Sequence, residues 1–468
     1  MGLILGAISL LLFSGLGALM LNKTPRYATF VGVSGVIISC LLGLAAVTLN
    51  FINGQTVSFS LPLSIPYASF SLEIDLLSAF FLLPIFFLSA LAAIYGAGYL
   101  KSWYGKKSIG TSWFFYNLLV ASMAMVVIAR NSMVFLFFWE MMTVASYFLV
   151  TFENEKSSVR KAGLMYLVAS QLGTAFLLVL FILLGREAGS LDFNRFQISA
   201  GILPSVIFFL AIVGFGTKAG FMPFHIWLPE AHPAAPSHVS ALMSGVMIKT
   251  GIYGLIRVLM FLGPPPAWWG GFLIVIGIIC GILGVLFALA QHDLKRLLAY
   301  HSIENIGIIT LGLGLGLLGM SIHSPVLMIL GWAGGLLHVL NHALFKGLLF
   351  LGAGAVVHAA GTREIDCLGG LLKRMPSTGI CFLIGSAAIC GLPLLNGFVS
   401  EFLIYLGSFY GIGISASVFL AVLGIIAALA VIGGLAVACF SKAFGIIFLG
   451  EPRTSHGQDA HEFGWLMR

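Results

Sequence analysis

Residues 216–257 read GTKAGFMPFHIWLPEAHPAAPSHVSALMSGVMIKTGIYGLIR, a stretch that combines ionisable and helix-breaking residues. It lies in a chain that is 60% hydrophobic and only 8% charged, yet it holds two lysines, Lys218 and Lys249, each within an apolar run. An ammonium group at the centre of a bilayer is disfavoured by about 3 kcal/mol on insertion scales. Two such lysines on adjacent apolar segments therefore indicate a function, and we interpret them as carriers of protons.

The composition of the whole chain is typical of a polytopic membrane protein. Mean hydropathy is +1.08 over 468 residues, and apolar runs of about 20 residues, long enough to cross about 30 Å of hydrocarbon, recur from end to end. We predict an all-α fold of about 13 transmembrane helices, at 2–21, 27–50, 72–100, 113–129, 132–152, 161–185, 203–229, 237–262, 271–291, 297–318, 325–357, 378–408 and 414–449. The first run lacks a basic leader and is followed by further spans, so we expect a retained helix rather than a cleaved signal.

Lysine and arginine are distributed unequally between the two sides of the predicted spans. The loops after odd-numbered spans, together with Arg453 and Arg468 in the tail, carry 15 of the 23 basic residues, whereas the opposite loops carry four. Cytoplasmic loops are rich in lysine and arginine. We therefore predict a multi-pass protein of the inner (cytoplasmic) membrane with its N-terminus outside and its C-terminus in the cytoplasm. The formal charge of +7 follows from this topology and does not indicate nucleic-acid binding.

Six cysteines are scattered along the chain, and no Cys-x-x-Cys pair occurs. A zinc or iron–sulfur site built on thiolates needs clustered cysteines. We therefore expect the cysteines to be small buried hydrophobic residues, and any redox chemistry to come from a partner.

Two spans contain helix-breaking residues beside an ionisable side chain. In the seventh, Pro223 and Pro229 follow Lys218; in the twelfth, residues 391–397 precede Glu401. Proline removes a backbone donor and clashes with the preceding turn, so both helices should break there. Broken spans that are five apart suggest two inverted five-helix repeats.

The predicted organisation follows from these repeats. Residues 1–110 hold the first three helices, 111–262 the first repeat (helices 4–8), 271–449 the second, inverted repeat (helices 9–13), and 450–468 a cytoplasmic tail.

Glu140 stands about ten residues from either end of the fifth span. One interpretation is a carboxyl group that stays protonated in apolar surroundings or caps a neighbouring helix. The functional interpretation pairs it with Lys218. Two unit charges about 4 Å apart at an effective dielectric near 20 attract by about 4 kcal/mol, enough for an opening and closing contact to decide whether the lysine keeps its proton.

Further candidates lie on later spans. Lys249 lies about 18 Å along the eighth helix, too deep for its ammonium to snorkel easily to an interface. His338, His342 and Lys346 are spaced by four residues and share one helical face, which predicts a proton relay because imidazole titrates near neutrality. A metal at this face would lack a third ligand and would be repelled by the lysine. Glu401 is the expected last acid of the path, with exposure to water as the alternative.

Four ionisable residues, His225, Glu230, His232 and His238, crowd the connection between the seventh and eighth spans. They are secondary candidates that line an access route for protons, bond to backbone left unpaired at the break, or bind zinc. The sequence leaves these alternatives open.

The tenth span adds His301 and Glu304 as secondary candidates. The match to G-x-G-x-x-G within residues 314–319 is not a nucleotide site, because it lies inside an apolar helix with no strand before it.

Several stretches resemble the antiporter-like subunits of respiratory complex I and of the Mrp-type multi-subunit cation/proton antiporters. The resemblance covers most of residues 70–450 and is carried by FWEMMTVASYFLV (138–150), the stretch 216–257, DLKRLLAYHSIENIGII (293–309), HVLNHALFKGLLFLGAGAVVH (338–358) and GLPLLNGFVSEF (391–402). The wording AHPAAPSHVSALMSGVMIKTGIYG and AYHSIENIG looks most like the large membrane subunit of formate hydrogenlyase and of related membrane-bound NiFe hydrogenases.

The resemblance implies a fold of fourteen core helices and a proton path along matching positions. Those positions are Glu140, Lys218, Lys249, His338, His342, Lys346 and Glu401. The first two would form a switchable pair, the next four the central hydrated axis, and the last the terminal residue. The final segment HEFGWLMR resembles the approach to the fourteenth helix, so we expect that helix to be absent or on another polypeptide.

The resemblance thus implies a proton-translocating membrane subunit that is not itself catalytic. It would sit in a complex with other membrane subunits and a peripheral redox arm, such as a membrane-bound hydrogenase or an NADH:quinone oxidoreductase-like assembly. We expect no cofactor or metal in this chain, and iron–sulfur clusters and NiFe or flavin centres in partner subunits. The alternatives are a Na⁺/H⁺ antiporter subunit of an Mrp-type assembly, a quinone-reactive redox subunit, and a passive membrane scaffold.

Overall fold

The structure is a computed structural model that describes residues 1–62, 69–198 and 201–467, and these residues are mostly helical, as predicted. The first helices are α1 (Gly2–Met20), α2 (Pro25–Asn53), α3 (Leu76–Tyr99), α4 (Ile109–Ile128), α5 (Ser132–Val150), α6 (Ser157–Ala188), α7 (Leu203–Ala219), α8 (Leu228–Ala234), α9 (Ser237–Leu242) and α10 (Lys249–Leu259). The later ones are α11 (Ala267–Leu289), α12 (Leu294–Ser321), α13 (Pro325–Ala360), α14 (Leu371–Arg374), α15 (Pro376–Ile389), α16 (Asn396–Gly411), α17 (Ala416–Phe448) and α18 (Ser455–Gln458).

A short antiparallel hairpin between α2 and α3 is an element that the sequence analysis misses. Strand β1 (Val57–Pro62) pairs with β2 (Ser69–Ile74), so that Val57 lies opposite Ile74. The strands alternate apolar and polar residues with the period of two that a half-buried strand requires. The predicted start of the third span, at residue 72, is therefore wrong: residues up to Ile74 pair with β1, and the helix begins at Leu76.

Eleven helices in the described residues are long and apolar enough to cross a membrane by length and composition. Two further apolar helices, Leu203–Ala219 and Pro376–Ile389, are shorter. Both lie where the sequence predicts a broken span. The chain is therefore a multi-pass membrane protein, and the span count of thirteen stays a prediction. Several helices begin earlier than predicted; α6, for example, starts at Ser157 instead of residue 161, because polar residues beyond the hydrocarbon remain helical.

Both predicted breaks are present. Helix α7 ends at Ala219, where Gly220 has a φ of +90°, and α8 begins only at Leu228. Between α9 and α10 the backbone forms one stretch of π-helix, Met243–Met247, which no composition signal predicts. Further along, α15 ends at Ile389 and α16 begins seven residues later.

The chain divides into two compact units. The first contains Met1–Ala219 and Ala234–Gly263, and the second contains Gly220–Pro233 and Pro264–Arg468. The segment that follows the break after α7 thus belongs to the second unit. The predicted boundaries of the repeats stay a prediction.

One end of the first unit is held by charged groups. Asp75 accepts a bidentate pair of hydrogen bonds from Arg257 on α10, at 2.6 and 2.9 Å. Arg130, in the turn between α4 and α5, approaches the same carboxylate at 3.2 Å. The Asp75 side chain also accepts from the Ser78 amide at 2.8 Å and so caps α3. The start of α3, helix α10 and the turn between α4 and α5 are therefore all fixed to one carboxylate.

Close helix contacts at glycines organise the second unit. A Cβ atom on Gly312 of α12 would lie 2.7 Å from the Cα of Gly335 on α13, and Gly316 similarly lies against Gly331. Side chains at these positions would force the helices apart, so the glycines set the spacing and the antiparallel register of α12 and α13. The glycines of the segment 314–319 thus serve helix packing, which agrees with rejecting a nucleotide motif there. An apolar core between α11, α12, α16 and α17 completes the unit.

Candidate functional site

Lys218 lies in the last turn of α7, and its side chain is buried in the first unit, with the residue 2% exposed. Its Nζ donates to the hydroxyl of Tyr166 at 2.8 Å and to Oγ1 of Thr143 at 3.1 Å. The ammonium also lies 5.0 Å from the Tyr166 ring centroid and 5.7 Å from that of Trp139. Hydroxyl oxygens and ring faces both favour a cation. The site therefore accommodates a charged lysine without a carboxylate in contact.

Glu140, on α5, is half-buried and has partners of its own. Its Oε2 accepts from Nε2 of Gln171 and its Oε1 from Oγ1 of Thr174, both at 2.6 Å. Within the described residues Glu140 and Lys218 do not form an ion pair. However, Thr143, which binds Lys218, is three residues from Glu140 on the same helix. Residues three apart on a helix are neighbours on its surface, so a change of partner needs a shift of about one helical turn.

The hydroxyl groups of Tyr166 and Ser146 extend the Lys218 site, and the sequence analysis did not identify either residue. Tyr166 exchanges a hydrogen bond of 2.6 Å with Ser146, and its hydroxyl lies 3.9 Å from the sulfur of Met247 in the π-helix. The signal available in the sequence is the spacing of Glu140, Thr143 and Ser146, which places three polar groups on one face of an otherwise apolar helix.

Lys249 is the first residue of α10 and is 2% exposed. Its Nζ donates to the backbone carbonyl of Ser244, inside the π-helical stretch. A π-helix interrupts the regular ladder of an α-helix and is frequent at functional sites. Because the ammonium bonds inward to its own helix, the side chain does not snorkel to an interface.

His338, His342 and Lys346 lie on one face of α13 in the second unit, as predicted, and each is completely buried. The two imidazole rings are inclined to each other by 30°, with centroids 6.5 Å apart. Nδ1 of His338 lies 2.9 Å from Oγ of Ser400, and Nε2 lies 3.0 Å from Oδ1 of Asn305. One ring nitrogen thus faces α16 and the other α12, so His338 connects three helices.

The second break is tied to the same face of α13. Asn341 donates to the backbone carbonyl of Asn396 at 2.6 Å and to Ser400 at 3.0 Å, which holds the first turn of α16. Glu401 follows directly, and a Cβ on Gly391 would lie 2.8 Å from its Oε2. Gly391 has a φ of +63°. The break therefore brings a carboxyl group against bare backbone at the turn.

His301 and Glu304 form a contact on α12 between Nδ1 and Oε2, and both side chains are wholly buried. The centroid of the imidazole lies 4.5 Å from that of the Phe440 ring on α17, and the two rings are tilted by 34°. The spacing of three residues predicts that the two side chains are neighbours. The pair lies in the same unit as Lys346, and the sequence analysis likewise places all three residues in the second repeat.

The four secondary candidates near the first break have separate surroundings. Within the second unit, Glu230 pairs with Arg296, and Nδ1 of His232 lies 3.0 Å from the carbonyl of Leu228. His225 lies in the turn before α8 and its carbonyl accepts from the Leu228 amide. No three His, Cys, Asp or Glu side chains in the described residues are arranged to hold a metal ion.

His238, the fourth of these residues, lies within the first unit. Its imidazole is surrounded by the rings of Tyr99, Trp113 and Tyr116, at centroid distances of 5.8 to 6.1 Å. It is therefore part of an aromatic cluster between α3, α4 and α9.

Comparison with known proteins connects this geometry to a family. Residues 129–429 match the transmembrane region of the NADH:quinone oxidoreductase/Mrp antiporter family. The chain is 43% identical to hydrogenase-4 component B of Escherichia coli (strain K12) over 466 residues, 97% of this chain and 68% of the relative. It is 40% identical to formate hydrogenlyase subunit 3 of the same strain over 374 residues, 79% of this chain.

The fold is similar to that of a solved membrane complex. A chain of the archaeal membrane-bound sulfane sulfur reductase, a respiratory membrane complex, aligns with a TM-score of 0.83 and 25% identity over 98% of this chain and 72% of that chain. The present chain spans 60% of the length of formate hydrogenlyase subunit 3, so it covers only part of some of its relatives.

Proposed function

The chain belongs to the NADH:quinone oxidoreductase/Mrp antiporter family, and from that premise we propose that it translocates protons as a membrane subunit of a redox-driven complex. The relatives named above are a hydrogenase component and a formate hydrogenlyase subunit. A membrane-bound hydrogenase or an NADH:quinone oxidoreductase-like assembly is therefore the proposed setting. A peripheral redox arm would hold the iron–sulfur clusters and the NiFe or flavin centres, and this chain would bind no cofactor.

The observation that carries the proposal is the environment of Lys218. Its ammonium is buried among hydroxyls and aromatic rings, while Glu140 is held by separate donors about one helical turn away. Separate, hydrogen-bonded positions for both charges are what a switchable pair requires.

The energies involved match the task of such a switch. Closing the pair to about 4 Å at an effective dielectric near 20 gains about 4 kcal/mol. Hydrogen bonds to charged groups contribute about 1.5–3 kcal/mol each, so the two hydroxyl partners of Lys218 nearly offset the closed pair. Moving one charge across 100 mV takes about 2.3 kcal/mol. Small changes in a partner subunit can therefore decide which arrangement is occupied.

In the first unit, Lys249 would receive protons next. Its ammonium donates to the Ser244 carbonyl in the π-helix. In the second unit, His338, His342 and Lys346 would pass protons along the face of α13, and Glu401 at the second break would be the terminal group. We propose a cytoplasmic C-terminus and an external N-terminus for this arrangement, on the basis of the basic residues in the predicted loops.

The proposal is tested by proton uptake into inverted membrane vesicles that contain the intact complex. Lys218→Met should abolish uptake with assembly of the complex unchanged, as judged by native gel electrophoresis. Lys373→Met is the matched control, because Lys373 is 67% exposed and pairs with Glu451 at the surface. Uptake that survives Lys218→Met would contradict the proposal, and a complex that fails to assemble would favour the scaffold alternative.

A second candidate function is a Na⁺/H⁺ antiporter subunit, since the matched family includes the Mrp antiporters. The same vesicles distinguish the two. Proton uptake that proceeds without Na⁺ supports proton pumping, whereas uptake that requires an outward Na⁺ gradient supports antiport.

A further inference from the structure

We infer that Glu304 is the counter-charge of Lys346 and that it exchanges between Lys346 and His301, which makes this trio a second switchable site within the second unit. The inference rests on the proposed function for its purpose, but its structural basis is independent. It assigns a definite role to Glu304, which no resemblance to the family supplies.

The register of α12 and α13 brings the three residues to one level. The helices run antiparallel and meet at Gly312 and Gly335. His301 lies eleven residues before Gly312 on α12, and Lys346 lies eleven residues after Gly335 on α13. Each helix rises about 1.5 Å per residue, so equal steps in opposite chain directions end at the same height. The hydrogen bond from His338 to Asn305 shows that the helices stay close over this distance.

Unsatisfied polar atoms face this level from both helices. Oε2 of Glu304 contacts Nδ1 of His301, but Oε1 of Glu304 has no hydrogen-bond partner in the described residues. The Nζ of Lys346 likewise has no acceptor there, and only the ring of Phe350 lies below it, at 5.8 Å. A buried ammonium and a buried carboxylate oxygen, each lacking a partner, are costly apart and satisfy each other together.

The surrounding titratable groups are few. Electrostatically, Glu304 acts on Lys346 and on Glu401. The thiol of Cys439, on α17, interacts with His301 and with Lys346. Glu304 therefore interacts with four titratable groups, namely His301, Lys346, Glu401 and the thiol of Cys390.

The exchange moves one proton at a time without changing the charge of Glu304. With Glu304 directed to Lys346, the ammonium is paired and keeps its proton. When His301 binds a proton, the imidazolium attracts Glu304, and Lys346 loses its counter-charge. Lys346 then gives its proton to the histidines of the relay on α13. One proton therefore enters at His301 as one leaves Lys346.

Two measurements on the purified complex test the inference. The first is a double-mutant cycle of thermal unfolding with Glu304→Gln, Lys346→Met and the double variant. Each single change leaves a buried polar group without its partner, so we expect each to lower the midpoint and the double variant to regain part of the loss. The exposed pair Glu451–Lys373 serves as control, and there the changes should add. Additive losses at Glu304 and Lys346 would overturn the pairing, whether or not the chain translocates protons.

The second measurement is proton uptake in vesicles. Glu304→Gln should lower the rate at least tenfold, and Glu304→Asp, which keeps the charge, should retain a third or more. The double variant should be no slower than the slower single variant, since both residues act in one step. If Glu304→Gln takes up protons at the wild-type rate although the losses in the unfolding midpoint are non-additive, Glu304 pairs with Lys346 but does not exchange. That result would overturn the exchange role and leave the proposed function standing.

Discussion

The ammonium of Lys218 and the carboxylate of Glu140 are held apart by different partners. Lys218 donates to Tyr166 and Thr143, whereas Glu140 accepts from Thr174 and Gln171. Thr143 is less than one helical turn from Glu140, and in the proposed switch this separated geometry corresponds to the open arrangement of the pair. The hydroxyl of Tyr166 is the group that makes the open arrangement stable.

Tyr166→Phe should therefore slow proton uptake in vesicles about tenfold. The variant removes one hydrogen bond to a charged group, worth about 1.5–3 kcal/mol, and biases Lys218 towards Glu140. Tyr27→Phe is the control, because Tyr27 is 67% exposed. An unchanged rate in Tyr166→Phe would show that the hydroxyl does not hold the open arrangement.

Gly391→Ala should impair uptake more than it impairs stability. The added methyl would lie 2.8 Å from Oε2 of Glu401, at a backbone conformation with a φ of +63° that costs an alanine about 1–2 kcal/mol. Gly413→Ala is the matched control, since a Cβ there meets nothing within 4 Å. Equal behaviour of the two variants in the vesicle assay would remove Glu401 from the path.

Asp75→Asn should destabilise the first unit by about 3 kcal/mol, because it leaves two buried arginines without their shared carboxylate. Thermal unfolding in detergent measures the change as a lower midpoint. The control is Glu451→Gln, whose partner Lys373 lies at the surface, and that variant should unfold like the wild type. A midpoint for Asp75→Asn equal to that of the wild type would contradict the anchoring role.

The same carboxylate predicts a pH dependence of stability. Burial alone would raise the pKa of Asp75, but the hydrogen bonds and charge of Arg257, with Arg130 and the Ser78 amide, hold that pKa well below its usual range. A pKa lowered by folding adds stability that is fully present above the unfolded value of about 4 and is lost as the pH falls below it. The wild type should thus lose more stability than Asp75→Asn between about pH 5 and about pH 3, the interval around the free pKa of about 4. Parallel losses would place the acid sensitivity elsewhere.

Much of the fold follows from local sequence. Apolar runs predict the long helices. Pro223 predicts the first break and Gly391, with the residues that follow it, predicts the second, because these residues act on their own backbone. The spacing of His338, His342 and Lys346 gives their shared face for the same reason. Such features need no knowledge of distant contacts.

The remaining features depend on which helices meet. Nothing near Lys218 in sequence points to Tyr166 or Thr143, since they lie on two other helices. The π-helix before Lys249 has no composition signal. The level shared by His301, Glu304 and Lys346 is set by the glycine contacts of α12 and α13, whose register only the folded chain reveals.

The most direct measurement follows acidification and electron transfer together in inverted vesicles that contain the intact complex, comparing wild type with Lys249→Ala. We predict that acidification disappears while some uncoupler-insensitive electron transfer persists, which places Lys249 on the ion path. If both acidification and electron transfer persist unchanged, the central lysine serves packing, and the proton-translocating function proposed for this chain is contradicted.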